Sequence, residues 1–195
     1  MRTFYFLLLG VLILFGACKK EGPEASLPRI SQEGLNTGGF IVDGVAYPAN
    51  GWSGPIMSTF NNGAAGLEGG YDDFVIPGFP LRPEYELRIN GEQAKKYVTV
   101  TLYLRNPRVG EFALNRNTKL PPAAVDSTIF DHATINLGTG NGEIYTTSAI
   151  HTGRIILSRA NRPSLSAGTF EFTAVSNVDP NKTVRVTAGR FDRKQ

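Results

Sequence analysis

His132 and His151 are the only histidines in the 195-residue chain, so they bound the acid–base chemistry available to it. Asp131 stands directly before His132, and several serines could serve as nucleophiles in a serine–histidine–acid arrangement. The Gly-x-Ser-x-Gly turn that presents such a serine is absent. Neighbouring residues of a strand point to opposite faces, so Asp131 is badly placed to orient His132. Both histidines therefore read as surface or incidental residues. A zinc site needs three or four His, Cys or carboxylate ligands, and two histidines with one cysteine do not supply them. Glu68, Asp72 and Asp73 form an acidic patch of oxygens suited to a hard cation. They lack the spacing of an EF-hand loop and read as a solvated loop. Gly138-Thr139-Gly140-Asn141-Gly142 looks like a phosphate-binding loop, but such a loop must open a helix. Here strand-like segments flank it, and it reads as a hairpin turn. No catalytic residue, metal or cofactor is expected.

Trp52, Phe60, Tyr71, Phe74 and Phe79 fall within the irregular stretch from Pro48 to Pro83, among Gly, Pro and Asn. Aromatic side chains on loops can form a sugar- or peptide-binding surface, and these five are the candidate ligand-binding residues. The competing reading is that they plug one end of the core. Plugging is the favoured reading; the stretch is longer than an ordinary connection, which adds a little weight to a functional role.

The start of the chain concerns location. Met1-Arg2 is a positive n-region, Phe4 to Phe15 an apolar run of about twelve residues, and Gly16-Ala17 a small-residue cleavage site. A membrane-spanning helix needs roughly 20 apolar residues, so this run is too short, and Lys19-Lys20 closes it. Cys18, the sole cysteine, follows at once. Phe15-Gly16-Ala17-Cys18 resembles the lipobox of bacterial lipoproteins, with Phe15 where Leu is usual. That resemblance implies a diacylglyceryl group on the Cys18 sulfur. It also explains an unpaired thiol in an exported chain. Residues 1–17 are then a lipoprotein signal peptide, 18–35 the lipidated cysteine with a flexible tether, and 36–195 one domain. About fifteen extended tether residues would reach roughly 50 Å.

Removing seventeen residues leaves 178, enough for one domain with a core. The net charge is +3 and the pI about 9.1, but Lys and Arg alternate with acids. No basic stripe with interleaved aromatics suggests nucleic acid as a partner.

The domain reads as strand, turn, strand. Phe40-Ile41-Val42 and Val45-Ala46-Tyr47 flank Asp43-Gly44, a strong two-residue hairpin signal. Tyr85, Leu87 and Ile89 alternate with Glu84, Glu86 and Arg88, and Asn90-Gly91 follows as a turn. Tyr97 to Leu104 puts Val98, Val100, Leu102 and Leu104 on one face. Further strands are expected at Gly70–Ile76, Gly110–Leu114, Thr128–Leu137, Gly142–Thr147 and Gly153–Leu157. In the closing pair, Thr169–Val175 and Thr183–Phe191, residues Phe170, Phe172 and Ala174 face Val184, Val186 and Ala188. No segment sustains a 3.6-residue period. Nine or ten short antiparallel strands imply an all-β antiparallel sandwich, with a small closed barrel as the alternative.

Two stretches resemble the framing motifs of an uncharacterised family of Bacteroidota lipoproteins. They are Gln32 to Gly44, with its Asn36-Thr37 and Asp43-Gly44, and Gly168 to Val175 with Val186 to Asp192. Gly38 replaces the usual aromatic, and Asp43 the usual Asn. The family is a domain of unknown function, so it implies origin and fold rather than activity. Asp126-Ser127-Thr128 resembles the O-glycosylation acceptor of the same bacteria, which marks Ser127.

The residues together favour a non-catalytic binding or structural β-domain, held on the outer membrane by lipid, with an unknown protein or glycan partner. The alternative is a hydrolase of envelope or scavenged polymers. Lys19 to Glu24 holds only two acids, whereas surface-export signals of this group place several there, so the periplasmic face is favoured.

Overall fold

The computed structural model describes residues 22–49, 66–71, 85–116, 131–138 and 142–195. Eleven strands occur among them: β1 (Thr37–Val42), β2 (Val45–Ala49), β3 (Leu67–Tyr71), β4 (Tyr85–Gln93), β5 (Lys96–Leu104), β6 (Gly110–Leu114), β7 (His132–Leu137), β8 (Glu143–Thr146), β9 (Gly153–Asn161), β10 (Leu165–Ser176) and β11 (Thr183–Lys194). All pair antiparallel, in the order β2-β1-β11-β10-β8-β7-β5-β4-β3. β10 branches: Leu165 to Phe172 pair with β9, which carries β6, while Val175 and Ser176 pair with β8. One sheet thus folds over itself into two layers. Among the described residues no ladder joins the ends β2 and β3; the sheet is open and consistent with a sandwich.

Period-two patterning places the core. Tyr85, Leu87 and Ile89 of β4 and Val98, Val100, Leu102 and Leu104 of β5 are buried. Phe40 and Val42 of β1 and Phe170 and Phe172 of β10 meet them from the facing layer. Val184 and Val186 share that inward face, as the alternation requires.

Ala188 does not follow them. Phe170 lies opposite Gly189 and Phe172 opposite Val186, so β11 carries one extra residue there. Ala188 sits in this bulge at φ 50°, and the phase of β11 flips beyond it. Ala188 packs on the outer face beside Leu27, Ile41 and Ala46, while Phe191 turns into the core.

Asn90-Gly91 is not a turn either. Both residues lie inside β4, with Gly91 opposite Val98. A Cβ on Gly91 would stand 2.7 Å from Tyr47 Cβ and 2.8 Å from the Tyr47 carbonyl oxygen. Glycine is required there because β2 crosses β4 at that point. The turn falls four residues later, at Ala94 (φ 49°) and Lys95 (φ 63°), between the paired Gln93 and Lys96.

The segment read as a tether is part of the domain from Gly22 onward. Residues 22–36 run as a strap over the outer face of β1 and β11. A single 3-10 turn, Pro23–Ser26, leads to Leu27, which is buried against Ile41 and Ala46. Asp192, almost fully buried, accepts backbone N–H bonds from Glu33 (3.1 Å), Gly34 (2.7 Å) and Leu35 (3.1 Å). Gly34 is at φ 79°, and a Cβ would meet Leu165 Cδ1 at 2.8 Å. Arg190 pairs with Glu24 and donates to the Pro28 carbonyl. Asn36 Oδ1 accepts from the Lys194 N–H at 2.9 Å. Composition alone suggested flexibility, but the partners that fix the strap are far away in the chain.

Candidate ligand-binding cleft

Two hairpin tips meet at one end of the sandwich. The β1–β2 tip is Asp43-Gly44, with φ values of 47° and 86°, the primed turn its sequence predicts. The β4–β5 tip is Ala94-Lys95. A cleft of about 500 Å³ opens between them and the end of β7. Val42, Val45, Tyr47, Tyr97, Val98 and Leu137 supply its apolar and aromatic wall, and Asp43, Lys95 and Lys96 its polar rim. Tyr47 stacks on the buried Phe40, with ring centroids 6.0 Å apart, so the wall is continuous with the core. Val45 is 45% exposed, as an apolar residue lining an open cleft would be.

The rim charges are unequal. Asp43 is engaged with β11: its Oδ1 accepts the Arg185 N–H at 3.0 Å, and its own N–H donates to the Arg185 carbonyl. Among the described residues neither Lys95 nor Lys96 has an ion-pair partner. Size, apolar wall and a few convergent polar groups are the attributes of a small-molecule site.

A second depression of about 400 Å³ lies on the outer face of β9, β10 and β11. Four charged residues line it, of which Arg154 and Glu171 are paired at 2.8 Å. Its wall is more polar than that of the cleft, with Thr152, Thr173 and Thr187 among the lining residues.

The histidines are held by packing and by a turn. His132 is fully buried, not a surface residue. It lies on the outer face of β7 and stacks on Tyr103 with centroids 4.4 Å apart and planes 8° from parallel. Burial pushes the Tyr103 hydroxyl up to about 12. Asp131 turns its carboxylate to the Arg105 N–H at 2.8 Å. Burial raises its pKa, and that hydrogen bond opposes the rise. His151 Nδ1 lies 3.3 Å from Ser148 Oγ. That hydroxyl also accepts the N–H of Ile150 and of His151, so it closes a local turn.

Of the aromatic candidates, Tyr71 alone lies within the described residues. It belongs to the core: it meets Tyr85 edge-on at 5.3 Å, and the Arg162 guanidinium lies 5.8 Å from its ring centre. Its hydroxyl is buried without a hydrogen-bond partner among the described residues, and burial raises its pKa. Trp52, Phe60, Phe74 and Phe79 lie outside the described residues, as do Cys18, Asp72, Asp73 and Ser127. Glu68 is on β3, opposite Arg88. β7 and β8, which flank the glycine-rich segment 138–142, pair antiparallel up to Leu137 and Glu143; residues 139–141 lie outside the described residues. Among the described residues no three His, Cys, Asp or Glu side chains converge as metal ligands.

Sequence reasoning missed the cleft. Tyr47 comes from one hairpin and Lys95 and Tyr97 from another, and the Ala94-Lys95 turn carries none of the usual turn residues. Compared with family models, curated proteins and solved structures, the chain has no match in any of the three.

Proposed function

We propose that this chain is a lipid-anchored protein of the outer membrane whose β-sandwich binds a small ligand in the cleft between its hairpin tips and performs no chemistry on it. The observation that carries this reading is the cleft itself, an apolar wall whose rim holds two lysines with no ion-pair partner among the described residues. The lipobox-like Phe15-Gly16-Ala17-Cys18 and the resemblance to Bacteroidota lipoproteins support the anchor and the compartment, on the periplasmic face. The packing of His132 and the turn geometry of Ser148 favour binding over hydrolysis.

The anchor and the cleft are tested separately. Cys18→Ser should abolish uptake of labelled fatty acid and move the protein to the soluble fraction. A variant that still takes up label and still pellets with membranes refutes the anchor. Native mass spectrometry of wild type released gently from membranes should show a bound small molecule, and Val45→Trp, which fills the cleft, should lose it. A ligand-free wild type, or one whose ligand survives Val45→Trp, refutes the binding site. The Ser148–His151 contact is the one observation on the side of a hydrolase. Labelling by a fluorophosphonate that disappears in Ser148→Ala would favour that reading; no labelling is expected.

A further inference from the structure

We infer that the cleft between the β1–β2 and β4–β5 hairpin tips takes an anionic amphiphile: one apolar chain carrying one carboxylate or phosphate. This rests on the binding reading above and narrows it to a ligand class.

The cleft leaves both apolar area and positive charge unsatisfied. Its wall is Val42, Val45, Tyr47, Tyr97, Val98 and Leu137, which gains by covering apolar area and offers few groups to read a polar body. Its rim is cationic. Lys95 at the tip and Lys96 at the start of β5 both line the rim, so a head group seated there meets two ammonium groups. The one acid, Asp43, already has Oδ1 on the Arg185 N–H. A neutral amphiphile would satisfy the wall and leave the ammonium groups without a counter-charge. A cationic one would be repelled. A sugar would find neither enough hydrogen-bonding groups on the wall nor use for two cations.

The turn supplies an independent observation. Two-residue hairpin tips with φ > 0 at both positions favour Asn-Gly or Asp-Gly, and the facing tip uses Asp43-Gly44. Here Ala94 and Lys95 take φ values of 49° and 63°, a region L-residues rarely occupy. A relaxed Asn-Gly tip would hold the same two strands and would lack the Lys95 ammonium. Strained backbone of this kind gathers at sites of function, and what the strain delivers here is a cation at the rim.

The experiment is calorimetric titration of the protein with dodecanoate, dodecyl phosphate and dodecanol, each below its micellar concentration. The comparison variant is Ala94→Asn/Lys95→Gly/Lys96→Gln, whose tip is relaxed, so that loss of binding is not loss of fold; its melting curve serves as the control. Dodecanoate or dodecyl phosphate should bind wild type at least about tenfold more tightly than dodecanol. The variant should lose about tenfold or more in affinity for the anion while keeping its affinity for dodecanol. Binding of dodecanoate alone assigns a carboxylate head group, and binding of dodecyl phosphate alone a phosphate. Equal affinity for dodecanol and the anions, an unchanged variant, or no binding of any probe below about 1 mM overturns the assignment. A neutral molecule found in the cleft by native mass spectrometry would overturn it as well, and would leave the binding reading standing.

Discussion

Phe172 and Thr173 are neighbours with opposite fates. Phe172 is 3% exposed and packs beside Phe170, their centroids 6.2 Å apart. Thr173 looks outward. Removing a buried phenylalanine ring costs about 3–5 kcal/mol, so Phe172→Ala should lower the melting temperature severely or prevent folding. Thr173→Ala should change stability by less than ~1 kcal/mol. Equal melting temperatures for Phe172→Ala and wild type would overturn the register of the closing hairpin. This contrast was legible in the sequence, because a half-buried strand writes its faces into alternate residues. Gly91 was misread for a complementary reason. Asn-Gly is a good local turn signal, but the demand for glycine comes from Tyr47 on another hairpin, and no local pattern encodes that. Gly91→Ala should destabilise by roughly 1–3 kcal/mol through overpacking against Tyr47, measured by denaturant unfolding. A neutral result would mean β2 and β4 do not approach as closely as described.

At the level of elements, the two tips make a natural comparison. Asp43-Gly44 announced its turn, whereas Ala94-Lys95 gave no sign, since neither residue type favours φ > 0. Replacing it with Asn-Gly should stabilise the domain by roughly 1–2 kcal/mol. A drop in melting temperature would refute the assigned turn conformation. The strap is the other element that local reading could not see. Its composition is that of a linker, and its order comes from Asp192, Arg190 and Lys194 near the far end of the chain. Asp192→Ala should cost about 2–4 kcal/mol. It should also speed amide exchange at Glu33, Gly34 and Leu35 ahead of the β5 core. Unchanged exchange at those three amides would remove Asp192 from the role of anchor.

For the molecule as a whole, the two stretches with a family resemblance turn out to be one structural feature. Thr37 lies opposite Asp192 and Val42 opposite Val186, so the opening and closing motifs are adjacent strands with the strap fastened across them. The motifs encode how the fold is closed, which is why they were readable and why they say nothing of the cleft. Acid stability has a whole-molecule readout too. Glu143 accepts from Ser176 Oγ at 2.7 Å and from Tyr145 Oη at 2.9 Å. The Ser176 bond first, then the Tyr145 bond, hold its carboxyl below the usual range. A group whose folded pKa is depressed stabilises the fold above its unfolded value, about 4.3 for Glu. That contribution is lost as pH falls through the folded value. Glu143→Gln should therefore flatten the stability profile below about pH 4.3. A profile parallel to wild type there would show that Glu143 makes no such contribution.

The docked strap bears on the proposed anchor. A free leader of about fifteen residues would be a leash some 50 Å long. The sandwich engages the strap at Glu24, paired with Arg190, and at buried Leu27, and the links from Cys18 to Gly22 span at most about 14 Å. A lipid on Cys18, as proposed, would therefore hold the domain close to the head groups. Leu27, at the start of the strap, packs on Ala46, the residue next to Val45 on the cleft's lip. The strap and the cleft therefore share β2. If a lipid on Cys18 holds the domain as proposed, an acyl chain leaving that leaflet would reach the cleft without crossing open water, and capture would become a two-dimensional search.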